Sequence, residues 1–307
     1  MEGRSRMKIP VILDTDIGGD IDDTWALSML LKSPELDVKL ILTETGNTTY
    51  RAKIVAKMLE AAGRTDIPVG IGLHFDDRLG RQAEWVEGYD LSAYPGVVHE
   101  DGVGALIETI LDSPEPITLI CIGPVPNVAA ALGREPAITE RSRFVGMHGC
   151  LRRSPPEYGS SRGVVAEYNV TADPKACQRA FTAPWDMTIT PLDTCGFVRL
   201  EGRRYRAIRE CKDPIVQALI ENYRIWLEGG TERCSEEFEV RSSILFDTVA
   251  VYLSFSEELL VMEKLGVRVT DYGYTVLDDK AKVINCATGW KDLSSFENLL
   301  VKRLTGR

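Results

Sequence analysis

Histidine is scarce in this chain. Three in 307 residues (His74, His99 and His148) all but exclude a zinc site built on several imidazoles. Basic charge is in deficit too, with 36 Lys plus Arg against 46 Asp plus Glu and a formal net charge of −10. That balance argues against a partner rich in phosphate, whether nucleic acid or an anionic membrane surface. No uncharged apolar run is long enough to cross a bilayer, and the start MEGRSRMKIPVILD lacks the apolar core of a signal peptide. The seven cysteines (Cys121, Cys150, Cys177, Cys195, Cys211, Cys234 and Cys286) are odd in number and contain no C-x-x-C. They read as buried or free thiols of a reducing compartment, not as a disulfide framework. No Pro/Ser linker, charge block or internal repeat divides the chain. The expectation is one soluble, cytoplasmic domain over 1–307, with 1–8 a disordered start and 44% hydrophobic residues to fill its core.

The first half alternates. Apolar runs at 9–14 (IPVILD), 38–44, 67–72, 117–123 and 143–149 read as strands covered on both faces. Between them, 22–32, 48–62, 103–111 and 127–132 read as helices, the second stopped by Gly63. Such alternation predicts an α/β fold: an open, mostly parallel sheet flanked by helices. The C-terminal half is more helical (200–228 and 244–253) and closes with short strands near 267–286 and a last helix after Trp290. Two long irregular stretches, 73–102 and 149–166, interrupt the pattern, and loops of that length are usually functional.

The ten residues DTDIGGDIDD (14–23) hold five aspartates directly after the first strand. In a parallel sheet the strand carboxyl ends face the ligand crevice. Helix capping needs one or two acids, whereas five packed together repel one another unless a cation neutralises them. Oxygen donors without a nearby His or Cys imply a hard ion, Ca²⁺ or Mg²⁺. An EF-hand loop fails, because Gly18 and Trp25 stand where ligands are needed. A dinucleotide loop fails for want of G-x-G-x-x-G, and a D-x-D phosphatase pattern fails at Gly18.

The motif D-T-D-x-G-x-D-x-D-D-x-x-A-L resembles the opening of the nucleoside hydrolases, the inosine–uridine-preferring N-ribosylhydrolase family. Further pieces follow in the family's order. TETGN (43–47) is similar to its second-strand end, VHEDGVG (98–104) to its H-G-x-x-G stretch, and TLICIGPVPNVAAAL (118–132) to T-L-x-x-x-G-P-L-T-N-x-A. RFVGMHG (143–149) and VAEYNVTADPKAC (165–177) are similar to M-G-G and A-E-F-N-x-x-x-D-P-x-A, and LFDTVAVYL (245–253) to H-D-P-x-A.

The resemblance implies Ca²⁺-dependent hydrolysis of the N-glycosidic bond of a ribonucleoside, with Mg²⁺ the second choice of ion. It implies Asp16 as metal ligand and as the base that deprotonates the attacking water. Asp23, the carbonyl of Ile122 and Asp247 would complete the metal's protein ligands. Asp22, Asn47, Glu167 and Asn169 would hold ribose hydroxyls, Met147 would line the pocket, and His99 and Trp226 would meet the substrate. The implied partners are a small-molecule nucleoside or ribose and further copies of the chain, as homodimer or homotetramer. The residue types suit an oxocarbenium-like transition state, which needs a charged nucleophile and nearby carboxylates.

Three departures bear on function. The segment IGGDI between Asp16 and Asp22 is two residues longer than the shorter family form, and its Asp20 reads as facing solvent. Ser161 stands where the family often has an Asn on the 5-hydroxyl. Phe246 stands where many members have the histidine that protonates the departing base, and Phe has no proton to give. His99, Trp85, Tyr223 and Trp226 are the candidates for that task, although the three-residue spacing of the last two also suits a buried helix face. The competing readings are a ribosyl-binding or low-turnover homologue, and a hydrolase of another N-riboside with an activated leaving group.

Overall fold

The computed structural model describes residues 7–155, 163–230 and 234–307, and of 234–236 the backbone alone. Residues 1–6 of the expected disordered start lie outside these, as do Ser161 and its neighbours in the second long stretch. The first half runs β1 (Ile9–Thr15), α1 (Asp22–Leu31), β2 (Leu36–Thr43), α2 (Thr48–Ala61), β3 (Val69–Ile71), β4 (Val98–His99), α3 (Gly102–Asp112), β5 (Ile117–Cys121), α4 (Pro126–Arg134) and β6 (Ser142–Met147). Then follow α5 (Tyr168–Ala172), α6 (Pro174–Thr182), β7 (Met187–Thr190), α7 (Leu192–Cys195), α8 (Gly202–Arg209), α9 (Pro214–Glu228), α10 (Cys234–Val240) and α11 (Thr248–Leu253). The chain closes with β8 (Leu260–Val269), β9 (Thr275–Leu277), β10 (Val283–Trp290) and α12 (Leu293–Thr305).

The ten strands form one sheet in the order β4-β3-β2-β1-β5-β6-β7-β10-β8-β9. The first seven and β10 pair in parallel, and β8 and β9 extend the sheet antiparallel. The expected α/β architecture is what forms. Both faces are covered, which explains the unbroken apolar runs: Val11 and Leu13 pack with α1, α2 and α9, while Ile12 between them packs with α3 and α4 on the other face. Each such side chain taken fully from water stabilises the fold by roughly 1.5–3 kcal/mol.

Two strands escaped the sequence reading. β4 is two residues long, and β7 is four buried residues between Pro184 and Pro191, too short to show a period. The helical stretch 200–228 is α8 and α9, broken before Pro214, as the backbone restriction ahead of a proline demands. Among the described residues, no helix is long and apolar enough to cross a membrane.

Candidate active site

β1 has β2 on one side and β5 on the other, so successive crossovers leave β1 in opposite directions. A crevice opens at such a switch point, beyond the carboxyl ends of the strands. Here it is a cavity of about 400 Å³ lined by Asp16, Gly19, Asp20, Asp22, Asp23, Arg51, Ile122, Met147, Glu167, Tyr168, Asn169, Phe246 and Asp247. Eight of the eleven residues expected to hold metal or substrate thus converge, from the ends of β1, β5 and β6 and the starts of α1, α5 and α11.

Asp22, Asp23 and Asp247 offer carboxylate oxygens lying within 4.8 Å of one another. Thr15 Oγ1 donates to Asp23 Oδ1 at 2.5 Å, and Asp247 Oδ1 is buried without a hydrogen-bond partner. Burial, then repulsion from neighbouring carboxylates, pushes all three carboxyls well above the usual range. An orphaned buried oxygen among crowded carboxylates, with no sulfur or nitrogen donor, fits a hard divalent cation. The tight trio contains Asp22 and leaves Asp16 at its side.

Asp16 sits against a second set of groups. The buried guanidinium of Arg51 places Nη2 4.0 Å from Asp16 Oδ2, while Nη1 donates to Ile17 O at 2.8 Å and Nε to Thr45 O at 2.7 Å. Thr45 holds a φ of +59°, strained for a residue with a branched side chain, and the Arg51 bond pins it there. Glu44, fully buried, leaves Oε1 unpaired. Its carboxyl is pushed well up by burial and then by Asp14 and Asp16. Gly123 permits this crowding: a Cβ there would stand 2.3 Å from Glu44 Oε1 and 2.7 Å from Asp16 Oδ1.

Glu167 caps α5 and is fixed by three backbone N–H groups, from Asn169 at 2.6 Å, Gly149 at 2.9 Å and Val170 at 3.3 Å. Burial nevertheless raises its carboxyl to about 7 against those bonds. The Asn169 amide donates to Ile122 O and Met147 O, both at 3.0 Å, tying the ends of β5 and β6 together.

Asn47 lies outside this lining. It caps α2 by accepting from Tyr50 N at 2.9 Å, and its amide donates to Asp77 O at 3.3 Å. It faces an adjoining cavity of about 560 Å³, which shares Gly19, Arg51 and Tyr168 with the first and adds Phe75 and Arg78. His99 and Trp226, expected at the substrate, line neither cavity. His99 is on β4, the outer edge strand, paired to Gly70. Trp226 supports the site from behind, donating Nε1 to Gly19 O at 3.1 Å with Arg81 stacked 3.9 Å over its ring. Asp20 is exposed, as expected, yet lines the first cavity. Sequence reasoning missed Arg51, Glu44 and Asn127. The last donates from Nδ2 to Asp14 Oδ1 at 3.0 Å and Thr43 O at 3.1 Å. Glu44 left a signal as a carboxylate ending an apolar strand, and Asn127 as the Asn of the stretch TLICIGPVPNVAAAL; Arg51 left none.

The family model for inosine-uridine preferring nucleoside hydrolase matches residues 11–299. The chain belongs to this family. It is therefore an N-glycosyl hydrolase of the ribonucleoside-cleaving type. Among curated relatives, the pyrimidine-specific ribonucleoside hydrolase RihA of Escherichia coli O7:K1 is 31% identical over 70% of this chain and 71% of its own length. The probable uridine nucleosidase 2 of Arabidopsis thaliana is 28% identical over 92% and 89%. The solved plant nucleoside hydrolase PpNRh1 superposes with a TM-score of 0.80, at 23% identity over 98% of this chain and 100% of that one. The purine-preferring ribonucleoside hydrolase from Gardnerella vaginalis gives 0.78 at 21% identity, over 97% and 98%. These two likenesses bear on the nucleoside hydrolase fold alone.

Proposed function

We propose that the chain hydrolyses the C1′–N bond of ribonucleosides with Asp16 as general base and Ca²⁺ as resident ion. The observation that carries this reading is the convergence of Asp22, Asp23 and Asp247 beside Asp16, Glu167 and Asn169 in one cavity. Asp16, Asp23, Asp247 and the carbonyl of Ile122 would hold the ion. When bound, it supplies positive charge that acidifies the attacking water and anchors the sugar.

The side chains supply the rest. Asp16 accepts the water's proton on a carboxylate oxygen, and Arg51 keeps that carboxylate in place. Asp22, Glu167 and Asn169 receive the sugar hydroxyls, with Asn47 at the border of the adjoining cavity and Met147 as wall. Glu167 is suited to this because three N–H groups fix its position before substrate arrives. The carboxylates around the sugar stabilise positive charge as it grows on the ring. The test is sugar release from a panel of nucleosides, with uridine first because two relatives are named for pyrimidine nucleosides or uridine. No release from any of them would sink the reading.

Phe246 in the lining favours a second reading, a low-turnover homologue or a hydrolase of N-ribosides with activated leaving groups. Cleavage of p-nitrophenyl riboside without cleavage of any nucleoside would select it. The six cysteines whose side chains are described are free thiols, which supports a reducing, cytoplasmic setting. A homodimer or homotetramer is the assembly to test by light scattering.

A further inference from the structure

Cleavage sends an electron pair onto the departing base, which leaves faster when a proton follows it. Phe246 brings a ring but no proton to the cavity wall. The four side chains considered from sequence are placed elsewhere. His99 is on the outer edge strand, and Trp85 donates to Glu221. Trp226 donates to Gly19, and Tyr223 is fully buried with its hydroxyl on Arg241 O. The two guanidiniums are occupied as well, Arg51 by two carbonyls beside Asp16 and Arg78 by Asp76.

Tyr168 differs from all of these. Gly19, Arg51 and Tyr168 line both cavities, and of the three only Tyr168 carries a hydroxyl. The residue is 58% exposed, and its hydroxyl has no hydrogen-bond partner among the described residues. Its backbone is held by the two residues beside it, Glu167 capping the turn through the Asn169 N–H and Asn169 bridging to β5 and β6. Where the family pattern reads A-E-F-N, this chain reads AEYN. One wall has exchanged an imidazole for a phenyl ring, and another has gained a phenol.

We propose that Tyr168 is the proton donor to the leaving base, its hydroxyl taking the task of the histidine that Phe246 replaces. The proposal rests on the hydrolase reading above. As the C1′–N bond breaks, its electron pair passes to the base and the phenol proton follows. The water oxygen bonds to C1′, and the proton that Asp16 took from that water restores the phenol through solvent. The sum is one water consumed, one sugar and one neutral base released. Burial and then the Asp16 charge hold the phenol above its ordinary value, and Arg51 and Arg78 offset part of that rise.

The experiment compares wild type and Tyr168→Phe on uridine and inosine and on p-nitrophenyl riboside, whose leaving group departs unprotonated. The expected result is a kcat loss of about 10²-fold on whichever nucleosides the wild type cleaves, with the nitrophenyl substrate changed by less than about twofold. Adding Phe246→His to Tyr168→Phe is expected to restore nucleoside turnover at least about tenfold. Unchanged nucleoside turnover in Tyr168→Phe, or an equal loss on both substrate types, would overturn the proposal. A wild type inert on every substrate would overturn the hydrolase reading, and the role of Tyr168 with it.

Discussion

The guanidinium of Arg51 lies 4.0 Å from the carboxylate of Asp16 and donates to the carbonyl of Ile17, one residue along the chain. One helix side chain therefore sets both the backbone and the charge environment of the proposed base. Arg51→Ala would strand the carbonyls of Ile17 and Thr45 and is expected to cost about 3 kcal/mol of stability, from bonds to a charged donor. Arg51→Lys keeps the charge but not the fork, so it should recover stability better than kcat. Chemical denaturation beside steady-state kinetics checks both; equal recovery would contradict a positioning role.

Asp16→Asn keeps the shape of the cavity and removes the proton acceptor. At saturating Ca²⁺, where loss of one ion ligand is compensated, turnover should still fall by roughly 10²–10⁴-fold. An active Asp16→Asn protein would end the assignment of the base.

Removing divalent ions should abolish activity and lower the melting temperature. A ligand present at about 100 times its Kd contributes about 2.7 kcal/mol to stability. Differential scanning fluorimetry with a chelator, then with Ca²⁺ or Mg²⁺ restored separately, measures the loss and ranks the ions. Asp247→Asn should reduce the response to either ion, because it removes one of three converging carboxylates.

Gly123→Ala puts a methyl group into the space between Glu44 and Asp16. Overpacking of this kind costs roughly 1–3 kcal/mol, and here one displaced group is the proposed base. Activity should therefore drop more than thermal stability does.

Glu167 contributes a defined part of the pH dependence of the ion-free protein. Its carboxyl goes from an ordinary 4.5 to about 7 in the folded chain, chiefly by burial. A raised carboxyl stabilises the fold fully below 4.5, and that contribution is lost as pH rises through 7. The shift corresponds to about 3 kcal/mol. Thermal unfolding in chelator across pH 4.5–8 should show this decline, and Glu167→Gln should make it shallower, the rest coming from the raised carboxyls of Asp22, Asp23, Asp247 and Glu44. A wild-type profile as flat as that of Glu167→Gln would count against it.

Much of this was legible because it was local. IPVILD announces a buried strand, and five aspartates behind it announce a site, since a parallel sheet opens at that end. Asp247 and Glu167 could be placed by resemblance alone, because nothing around either signals a partner far along the chain. Arg51 was invisible for the opposite reason. On an amphipathic helix it reads as a solvated charge, and only the packing of α2 against the β1–α1 turn reveals three acceptors around it. His99 on β4 and Trp226 on α9 line neither cavity, because order along the chain does not say which rim of a cavity an element meets. The insertion of β10 between β7 and β8 left no trace in the sequence pattern.

The position of β1 bears on how the chain acquires its site. Leu13 is flanked by Ile41 and by Ile120, so the strand carrying the aspartates is enclosed only after the chain has travelled out to the sheet edge and back. Pairings of such long range form slowly. Asp23 and Asp247 come together only where α11 packs against α1. An ion held by both residues would thus recognise only molecules in which this packing is complete, so ion uptake during refolding would report when it forms.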